Sequence, residues 1–595
     1  MLSAFDLHKI AGVFARPGFS GGPGGKPPGG KRRQIVAVQS LRNCFYKAPL
    51  FIFIGFALVV GGTLSACGGP GDSTAPSPPA SVAAPDADIP VDGDWIVSRL
   101  PYEMATLNPL LSSHCALAKS LTDLIYEGLL KRDNVTWEMK PNLAASWEES
   151  EDHLVYTFHL RQDVVFSDGT PFTAEDVKFC FDTLMNPETD AMPLRNYFAN
   201  VDRCEIVDAY TVRFVCKEPY FKTLITIGED LRILPKHIFS KGDFNRHPNN
   251  RRPIGTGPYV FERWDTNQQV ILLRNERYWG GKPHILKRYY KIITDDNAAL
   301  QVLERGELDL MGLTPDQWIK RASRPEFEAK FNKLTYYTPS HGYIGWNMRR
   351  PQFADKRVRQ AMTMLLDRDL ILETIFHGLG KPVTNCFFVD SIEYNHNLEP
   401  WPFDPPRARA LLEEAGWRDS DGDGVRDKDG GPLRFEFLVP SGSPETEALA
   451  TVFKEELVKA GVRMDIRLLE WATFIETVHN LNFDAMIMGW QLDPEQDPYQ
   501  IWHSSQSGSG SNYPGFVNEE ADRIIEEARR EFDHEKRAAM YHRLSEIIHE
   551  EQPYTFLFCM MGRVAVDKRF HNVNVYPLGL DAREWYVPKS LQRYQ

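Results

Sequence analysis

The chain has 595 residues, with 81 acidic and 68 basic side chains and a formal net charge of −13. This acidic balance argues against general binding to nucleic acid or to an acidic membrane surface, because both are negatively charged. Hydrophobic residues make up 42% of the chain and aromatic residues 12%, a composition typical of a globular protein. The length of the part that can fold, about 500 residues, is too great for one core and predicts two or three domains.

An apolar run near the N-terminus has the features of a secretory signal. Residues 51–63 carry no charge, but this run is shorter than the roughly 20 residues that a membrane-spanning helix needs. Basic residues precede it, among them Arg32, Arg33 and Arg42. We therefore expect residues 1–66 to be a signal region that is removed from the mature protein.

The end of this signal resembles the lipobox of bacterial lipoproteins, because Leu64, Ser65 and Ala66 precede Cys67. The resemblance implies cleavage before Cys67 and lipidation of its thiol. The alternative is an ordinary secretory signal in which the cysteine is accidental. Residues 67–94 are rich in Gly, Pro, Ser and Ala, and this composition predicts a flexible tether to the membrane.

The folded region begins with short strands and a helix. Residues 154–166 predict two strand segments, and Thr173 with Asp176 predicts a capping box at a helix start. Cys204 and Cys216 flank two alternating apolar segments, which predict a hairpin. A disulfide between these two residues and a pair of unpaired core thiols are equally compatible with this pattern.

Later segments continue the alternation of strands and helices. Residues 297–311 predict an amphipathic helix that Gly306 closes, followed by a short strand. Residues 444–471 predict a helix and a strand with Gly461 between them, and residues 518–553 predict two helices that break near Asp533. Such an order predicts parallel or mixed sheets flanked by helices.

An acidic segment partly matches a calcium-binding loop. Asp419, Asp421, Asp423 and Gly424 stand at positions 1, 3, 5 and 6 of the EF-hand pattern, but Gly430 stands where position 12 requires a glutamate. We therefore expect an acidic turn before a strand and no functional metal. The sequence also contains neither a CxxC pair nor an HExxH motif, so it gives no support for a zinc site.

Five blocks in the folded region resemble the peptide-binding class of extracytoplasmic solute-binding proteins, family 5, which serve ABC importers. They occur in the order found in that family, at residues 141–179, 255–279, 299–310, 347–369 and 489–499. The resemblance implies a two-lobed α/β fold like that of type II periplasmic binding proteins, with an extra subdomain on the N-terminal lobe.

The same resemblance implies where the lobes begin and end. We expect the N-terminal lobe with its extra subdomain at residues 95–340, the second lobe at 341–558, and a return to the first lobe at 559–595. The chain would cross to the second lobe near residues 337–347 and return near 555–564. Ligand would be enclosed as the lobes close on each other.

The resemblance also suggests how a peptide would be held. Relatives bind the peptide amine with an aspartate three positions after a tryptophan, and the matching residues here are Trp490 and Asp493. Asp493 could instead be a turn residue before Pro494. Asp497 repeats the Asp-Pro pair four positions later, so the choice between the two acids stays open.

Three further residues are candidates for contact with ligand. Tyr197 lies where relatives place an aromatic side chain in the cleft, and Asn512 and Tyr513 lie in a Gly/Ser-rich loop. The ligand carboxylate has no matched partner. Five arginines are candidates by charge alone: Arg349, Arg350, Arg357, Arg359 and Arg368.

The function implied by the resemblance is that of a receptor, not of an enzyme, and no cofactor is expected. A monomeric, lipid-anchored extracytoplasmic protein would capture di- or oligopeptides and deliver them to an ABC permease. The ATPase subunits would be separate chains, because this sequence has no GxxxxGK[ST] motif. The main alternative is the same fold binding a nickel complex, haem or an oligosaccharide. A secreted hydrolase is a weaker alternative, because the folded region has no nucleophile elbow.

Overall fold

The computed structural model describes residues 89–594, apart from Ser112 and Ser509. The predicted signal region, the lipidation site Cys67 and the tether as far as residue 88 lie outside the described residues. Within the described part of the chain, no helix is both long enough and apolar enough to cross a membrane.

Strands and helices are interspersed along the chain as predicted, but in several places strands follow one another with no helix between them. The strands are β1 (Trp95–Leu100), β2 (Leu130–Arg132), β3 (Met139–Pro141), β4 (Ala144–Glu149), β5 (Val155–Leu160), β6 (Val201–Asp208), β7 (Thr211–Cys216), β8 (Tyr259–Asp265), β9 (Gln269–Arg274), β10 (Lys287–Ile292), β11 (Leu310–Gly312), β12 (Phe331–Tyr337), β13 (Ser340–Trp346), β14 (Gly380–Pro382), β15 (Asp427–Lys428), β16 (Gly431–Pro432), β17 (Arg434–Pro440), β18 (Arg463–Leu469), β19 (Ala485–Gln491), β20 (Tyr554–Phe556), β21 (Phe558–Asp567), β22 (Val575–Tyr576) and β23 (Gly579–Leu580).

The helices are mostly short. They are α1 (Ala116–Thr122), α2 (Ala174–Met185), α3 (Met192–Tyr197), α4 (Thr223–Ile225), α5 (Lys236–Phe239), α6 (Asp296–Glu304), α7 (Pro315–Lys320), α8 (Pro325–Lys330), α9 (Lys356–Met364), α10 (Arg368–Thr374), α11 (Pro405–Glu414), α12 (Pro444–Lys459), α13 (Trp471–His479), α14 (Tyr499–Trp502), α15 (Glu519–Ala528) and α16 (His534–Glu551).

Three sheets organise the fold. An eight-stranded sheet has the order β12-β21-β11-β1-β10-β9-β8, with β14 also paired to β21. A five-stranded sheet has the order β18-β17-β19-β13-β20, and a four-stranded sheet the order β4-β5-β7-β6. The two larger sheets are mixed, since β1 runs parallel to β10, and β17 parallel to β18, beside antiparallel neighbours. This confirms the predicted mixed sheets.

These sheets form two lobes with separate cores. Side chains of the eight-stranded sheet, such as Leu272, share one buried cluster with Phe158 and Phe214 of the four-stranded sheet. We call this part the first lobe; the four-stranded sheet is the expected extra subdomain. The five-stranded sheet is covered by other clusters, around Phe437 and Tyr554, and forms the second lobe. The two-lobed α/β architecture expected from the sequence is therefore present.

Local sequence signals account for several element boundaries. The backbone N–H of Thr173 donates to Asp176 at 3.0 Å in the predicted capping box, and α2 then buries Val177 and Phe181 on one face. After α12 the backbone reverses through Gly461, whose φ of +76° favours glycine. The next strand, β18, lies parallel to β17.

The predicted hairpin is formed by β6 and β7, but it contains no disulfide. Cys204 lies opposite Phe214, and Cys216 lies opposite Val201. This register places the two sulfurs against other residues, and both cysteines are buried free thiols. The pattern of alternating apolar residues could not distinguish the two possibilities, because it does not specify the strand register.

The chain passes between the two lobes at two neighbouring points. It leaves the eight-stranded sheet at the end of β12 and enters the five-stranded sheet at β13, through Thr338 and Pro339. It returns between β20 and β21, at Leu557. Both points fall in or beside the segments where crossings were expected. The precise lobe boundaries stay a prediction.

The last residues of the predicted tether already belong to the fold. The N–H of Gly93 donates to the His284 carbonyl at 3.0 Å, and Asp94 is fully buried. The Asp94 carboxylate pairs with Arg569 and accepts the N–H of Arg593 at 3.0 Å. Composition alone suggested a tether as far as residue 94, but these contacts fix Gly93 against His284 and Asp94 against the C-terminal segment.

Candidate functional site

The predicted anchor residue lies on a loop attached to the crossover between the lobes. Strand β19 ends at Gln491, whose side-chain amide donates to the Pro339 carbonyl at 2.8 Å. The N–H of Leu492 donates to the same carbonyl at 2.8 Å. Asp493 follows immediately, so its position is coupled to the segment where the chain changes lobes.

The Asp493 carboxylate is paired with a lysine from the first lobe. The Nζ atom of Lys222 lies 2.5 Å from Oδ2 of Asp493. The Lys222 side chain is only 5% exposed, whereas that of Asp493 is 35% exposed. The two residues are separated by 271 positions in the sequence. Asp493 is therefore the accessible member of a lobe-to-lobe ion pair.

This pairing decides the charge of both groups. Burial opposes ionisation of Lys222, but attraction to Asp493 outweighs burial and holds the pKa of the lysine above its usual value. Burial likewise opposes ionisation of Asp493, but the charge and the hydrogen bond of Lys222 have the larger combined effect. The pKa of the Asp493 carboxyl is therefore lowered. Burial, followed by the Asp493 carboxylate, raises the pKa of Tyr197, the predicted aromatic residue.

The alternative anchor, Asp497, is occupied by protein groups. Oδ2 of Asp497 accepts the hydroxyl of Tyr220 at 2.8 Å and lies 3.1 Å from Nε of Arg529, and Oδ1 accepts the N–H of Tyr499 at 3.0 Å. The Asp497 side chain is 13% exposed. Asp493 is therefore the more accessible of the two acids.

The segment that carries Tyr220 and Lys222 follows β7 and lies against the second lobe. The N–H of Phe221 donates to the Arg529 carbonyl at 3.0 Å. The guanidinium of Arg529 lies over the Tyr220 ring at 4.6 Å, and that of Arg537 lies over the Phe221 ring at 4.0 Å. We call residues 218–222 the docking segment, because it supplies these contacts from the first lobe.

A second carboxylate lies near the ion pair. Asp230 ends a π-helical turn, Thr226–Asp230, that follows the docking segment and α4. Its side chain reaches solvent. Partial dehydration, together with repulsion from Glu229 and Asp493, raises the pKa of Asp230 to about 7. Glu229 itself is neutralised by Arg132, with an Nη2 to Oε2 distance of 3.0 Å.

An aromatic layer surrounds Trp490, which precedes Asp493 by three positions. Trp490 is parallel to Tyr343 at a centroid distance of 6.2 Å and to Tyr513 at 6.1 Å. The indole N–H of Trp490 donates to the Tyr554 hydroxyl at 3.2 Å. Tyr343 and Tyr554 are fully buried, while Trp490 is half-buried. The structure thus brings together two predicted site residues, Trp490 and Tyr513.

Asn512 has a bracing role in the loop that carries Tyr513. Its side chain is fully buried. The amide group donates to the carbonyls of His503 and Phe516 at 3.2 and 2.8 Å and accepts the N–H of Phe516 at 2.9 Å. The structure therefore gives no support to the predicted contact between Asn512 and ligand.

The five candidate arginines for a ligand carboxylate all have internal partners. Arg359 and Arg368 are buried and donate to main-chain carbonyls, including those of Phe353 and Phe556. Arg349 donates to the carbonyls of Tyr513 and Ser507. The others pair with acids: Arg350 with Asp484 at 3.1 Å and Arg357 with Asp355 at 2.6 Å.

Two features lie outside this site. Carboxylate oxygens of Asp419, Asp421 and Asp423 lie within 4.8 Å of one another on an exposed loop, where backbone N–H groups such as that of Gly424 donate to Asp419. The prediction that this loop holds no functional metal stays a prediction. A cavity of about 450 Å³ is lined by Glu304, Arg321, Arg324, Phe327 and Lys330 of the first lobe and includes none of the predicted site residues.

Sequence reasoning did not find Lys222, Tyr220 or Arg529. The docking segment reads EPYFK and matches no binding motif, and no local pattern distinguishes Lys222 from an ordinary loop lysine. Its importance depends on a contact with a loop 271 positions away. Only the packing of one lobe against the other reveals that contact.

The sequence matches a known family over most of its folded part. Residues 138–512 match the family model described as bacterial extracellular solute-binding proteins, family 5 middle. The oligopeptide-binding protein AppA of Bacillus subtilis is 31% identical over 542 residues, which cover 88% of this chain and 96% of that protein.

Solved structures extend the comparison to the fold. AppA from Bacillus subtilis in complex with a nonapeptide has a TM-score of 0.73 and 29% identity, and the match covers 84% of this chain and all of that one. NikZ from Campylobacter jejuni in complex with Ni(L-His) has a TM-score of 0.71 and 26% identity, with 84% and 100% covered. One fold therefore carries both kinds of ligand.

Proposed function

The chain belongs to the bacterial extracellular solute-binding proteins of family 5, and we propose that it captures peptides outside the cytoplasmic membrane and delivers them to an ABC permease. The observation that carries this proposal is the position of Asp493 and Trp490. The two residues lie at the end of β19, beside the lobe crossover, where the accessible Asp493 carboxylate pairs with Lys222 of the docking segment and Trp490 stacks with Tyr513.

These groups suit a peptide ligand. A peptide backbone alternates hydrogen-bond donors and acceptors, and its burial requires matching polar groups. Asp493 and Lys222 would supply an acceptor and a donor, and the half-buried rings of Tyr197 and Trp490 would supply surfaces against which side chains can pack. We infer that Asp493, Trp490, Tyr197 and Tyr513 line the ligand site.

The remaining features of the proposal follow from the sequence. Lipidation of Cys67 would tether the receptor to the membrane. The residues between Cys67 and Asp92 would connect the lobes to this anchor and allow them to approach a permease. Catalysis is not part of the proposed role; hydrolysis of ATP would belong to separate subunits. A monomer is sufficient, because ligand would be enclosed between two lobes of one chain.

Native mass spectrometry on the whole protein, purified in detergent without added ligand, tests this function. We expect a set of co-purified masses that correspond to short peptides. A control sample denatured and refolded before measurement should have lost them. A single non-peptide mass, such as a metal complex, would contradict the peptide proposal and favour the ligand class seen with NikZ.

A further inference from the structure

The anchor acid of the proposed site already holds a cation that belongs to the protein. Lys222 lies 2.5 Å from Asp493 and is almost completely buried. Its backbone is fixed on both sides, because the N–H of Phe221 donates to the second lobe and the Lys222 carbonyl accepts the N–H of Thr226 at 2.9 Å. The backbone of Lys222 is therefore held at a position from which its side chain reaches the carboxylate.

Charge balance then decides what Asp493 can bind. If a ligand took over Asp493, Lys222 would lose the carboxylate that it contacts, and such a loss strongly destabilises a buried ammonium even though a second carboxylate, that of Asp230, lies nearby. A ligand α-ammonium placed at the same carboxylate would stand beside the Lys222 ammonium, and like charges at this separation repel each other. A free peptide amine would therefore bind Asp493 at the expense of an existing ion pair.

The same pair is well suited to a neutral amide. An ammonium has three N–H donors and a carboxylate has two acceptor oxygens, so an ion pair retains hydrogen-bonding capacity after one bond is formed. An amide N–H can donate to the exposed Asp493 carboxylate without adding charge to the site. An acylated peptide terminus and an internal peptide bond of a longer chain both present such a group.

We propose that Lys222 is a specificity-determining residue that occupies the cation position at Asp493, so that the cleft accepts a neutral amide there and discriminates against a free α-ammonium. This inference rests on the proposed peptide-binding function and narrows its ligand class. It also distinguishes this chain from the sequence-based expectation that Asp493 itself captures the peptide amine.

The test measures which form of a peptide the protein retains. A synthetic pool of lysine-free peptides of two to nine residues is prepared with free and with acetylated N-termini, and the two halves are mixed in equal amounts. The immobilised whole protein is incubated with the mixture, and the bound fraction is quantified by mass spectrometry. We expect enrichment of acetylated forms by roughly tenfold or more, the cost of displacing one charged hydrogen-bond partner.

Variants assign this preference to Lys222. In Lys222→Met the enrichment should reverse toward free amines, whereas Lys222→Arg should retain the wild-type preference. Lys381→Met, which removes a lysine from an exposed pair with Asp390, is the matched control and should behave as wild type. Thermal melting shows whether the methionine variant is folded. If it is unfolded, the role of Lys222 is judged from the ratio of acetylated to free peptides that the wild type and Lys222→Arg retain.

Three results would overturn the inference, each in a different way. Equal retention or a free-amine preference among the dipeptides and tripeptides, which offer no long internal segment, would leave peptide binding intact and refute the role of Lys222 in the wild type. A free-amine preference that increases between pH 6 and pH 8 would assign the amine to Asp230 instead. Retention of no peptide of either form would refute the proposed function itself, and the inference with it.

Discussion

Tyr220 donates a hydrogen bond of 2.8 Å to Asp497, and this bond joins the docking segment of the first lobe to the loop that follows β19 in the second. Both side chains are largely buried. Because the bond exists only when the lobes are in contact, it should contribute to the stability of the closed state more than to the stability of either lobe.

Tyr220→Phe should therefore favour the open state. The loss of a hydrogen bond to a carboxylate is expected to destabilise closure by about 1–3 kcal/mol. Small-angle scattering should show a larger radius of gyration, and peptide dissociation should be faster. Tyr576→Phe is the matched control, because Tyr576 donates to Glu584 within the first lobe. An equal effect of both variants would contradict a role in closure.

Asp493→Ala should abolish or strongly reduce peptide retention, whereas Asp497→Ala should weaken it without changing which peptides are retained. The reason is that Asp493 is the more accessible acid and neutralises Lys222, while Asp497 is occupied by Tyr220 and Arg529. Native mass spectrometry of the two variants checks this prediction. Peptides retained by Asp493→Ala and lost from Asp497→Ala would move the ligand site to Asp497.

Asp230 should make stability depend on pH. Its pKa is raised to about 7 in the folded protein from an ordinary value of 3.8, so the folded state binds more protons than the unfolded state between these values. Stability from this group is present at low pH and is lost as the pH rises from about 4 to 7.

Urea unfolding of Asp230→Asn at pH 5 and pH 8 measures this effect. Relative to the variant, the wild type should lose stability as the pH rises. Asp421→Asn, which removes a charge from the remote acidic loop, controls for the change in net charge. An identical pH dependence of wild type and Asp230→Asn would show that Asp230 has an ordinary pKa in the folded state.

Arg569→Met should destabilise the first lobe by about 3–5 kcal/mol, because removing one member of a buried ion pair leaves uncompensated charge. Arg569 contacts both Asp94 and Asp309, and all three side chains are at most 3% exposed. Chemical denaturation measures the loss. Arg434→Met, at an exposed pair with Asp465, should change the midpoint little. A similar small change in Arg569→Met would contradict the buried-network interpretation.

Signals that act over a few residues were predictable from the sequence. The capping box of Thr173 and Asp176, the helix end at Gly461 and the break between α15 and α16 each follow from the backbone requirements of neighbouring residues. The resemblance in five blocks likewise indicated the two-lobed fold and selected Trp490 and Asp493. It could not predict that the Asn512 side chain is buried and hydrogen-bonded to the surrounding backbone, because the sequence of a Gly/Ser-rich loop does not specify its packing.

The sequence by itself determined the alternation of strands and helices, the family and the position of the anchor motif, because these depend on local patterns and on residue order. Only the tertiary structure decided the free thiols at Cys204 and Cys216, the fixing of Asp94 by Arg569, and the pairing of Lys222 with Asp493. Each depends on strand register or on contacts between distant segments. Such contacts are set by the balance of packing and charge over the whole fold.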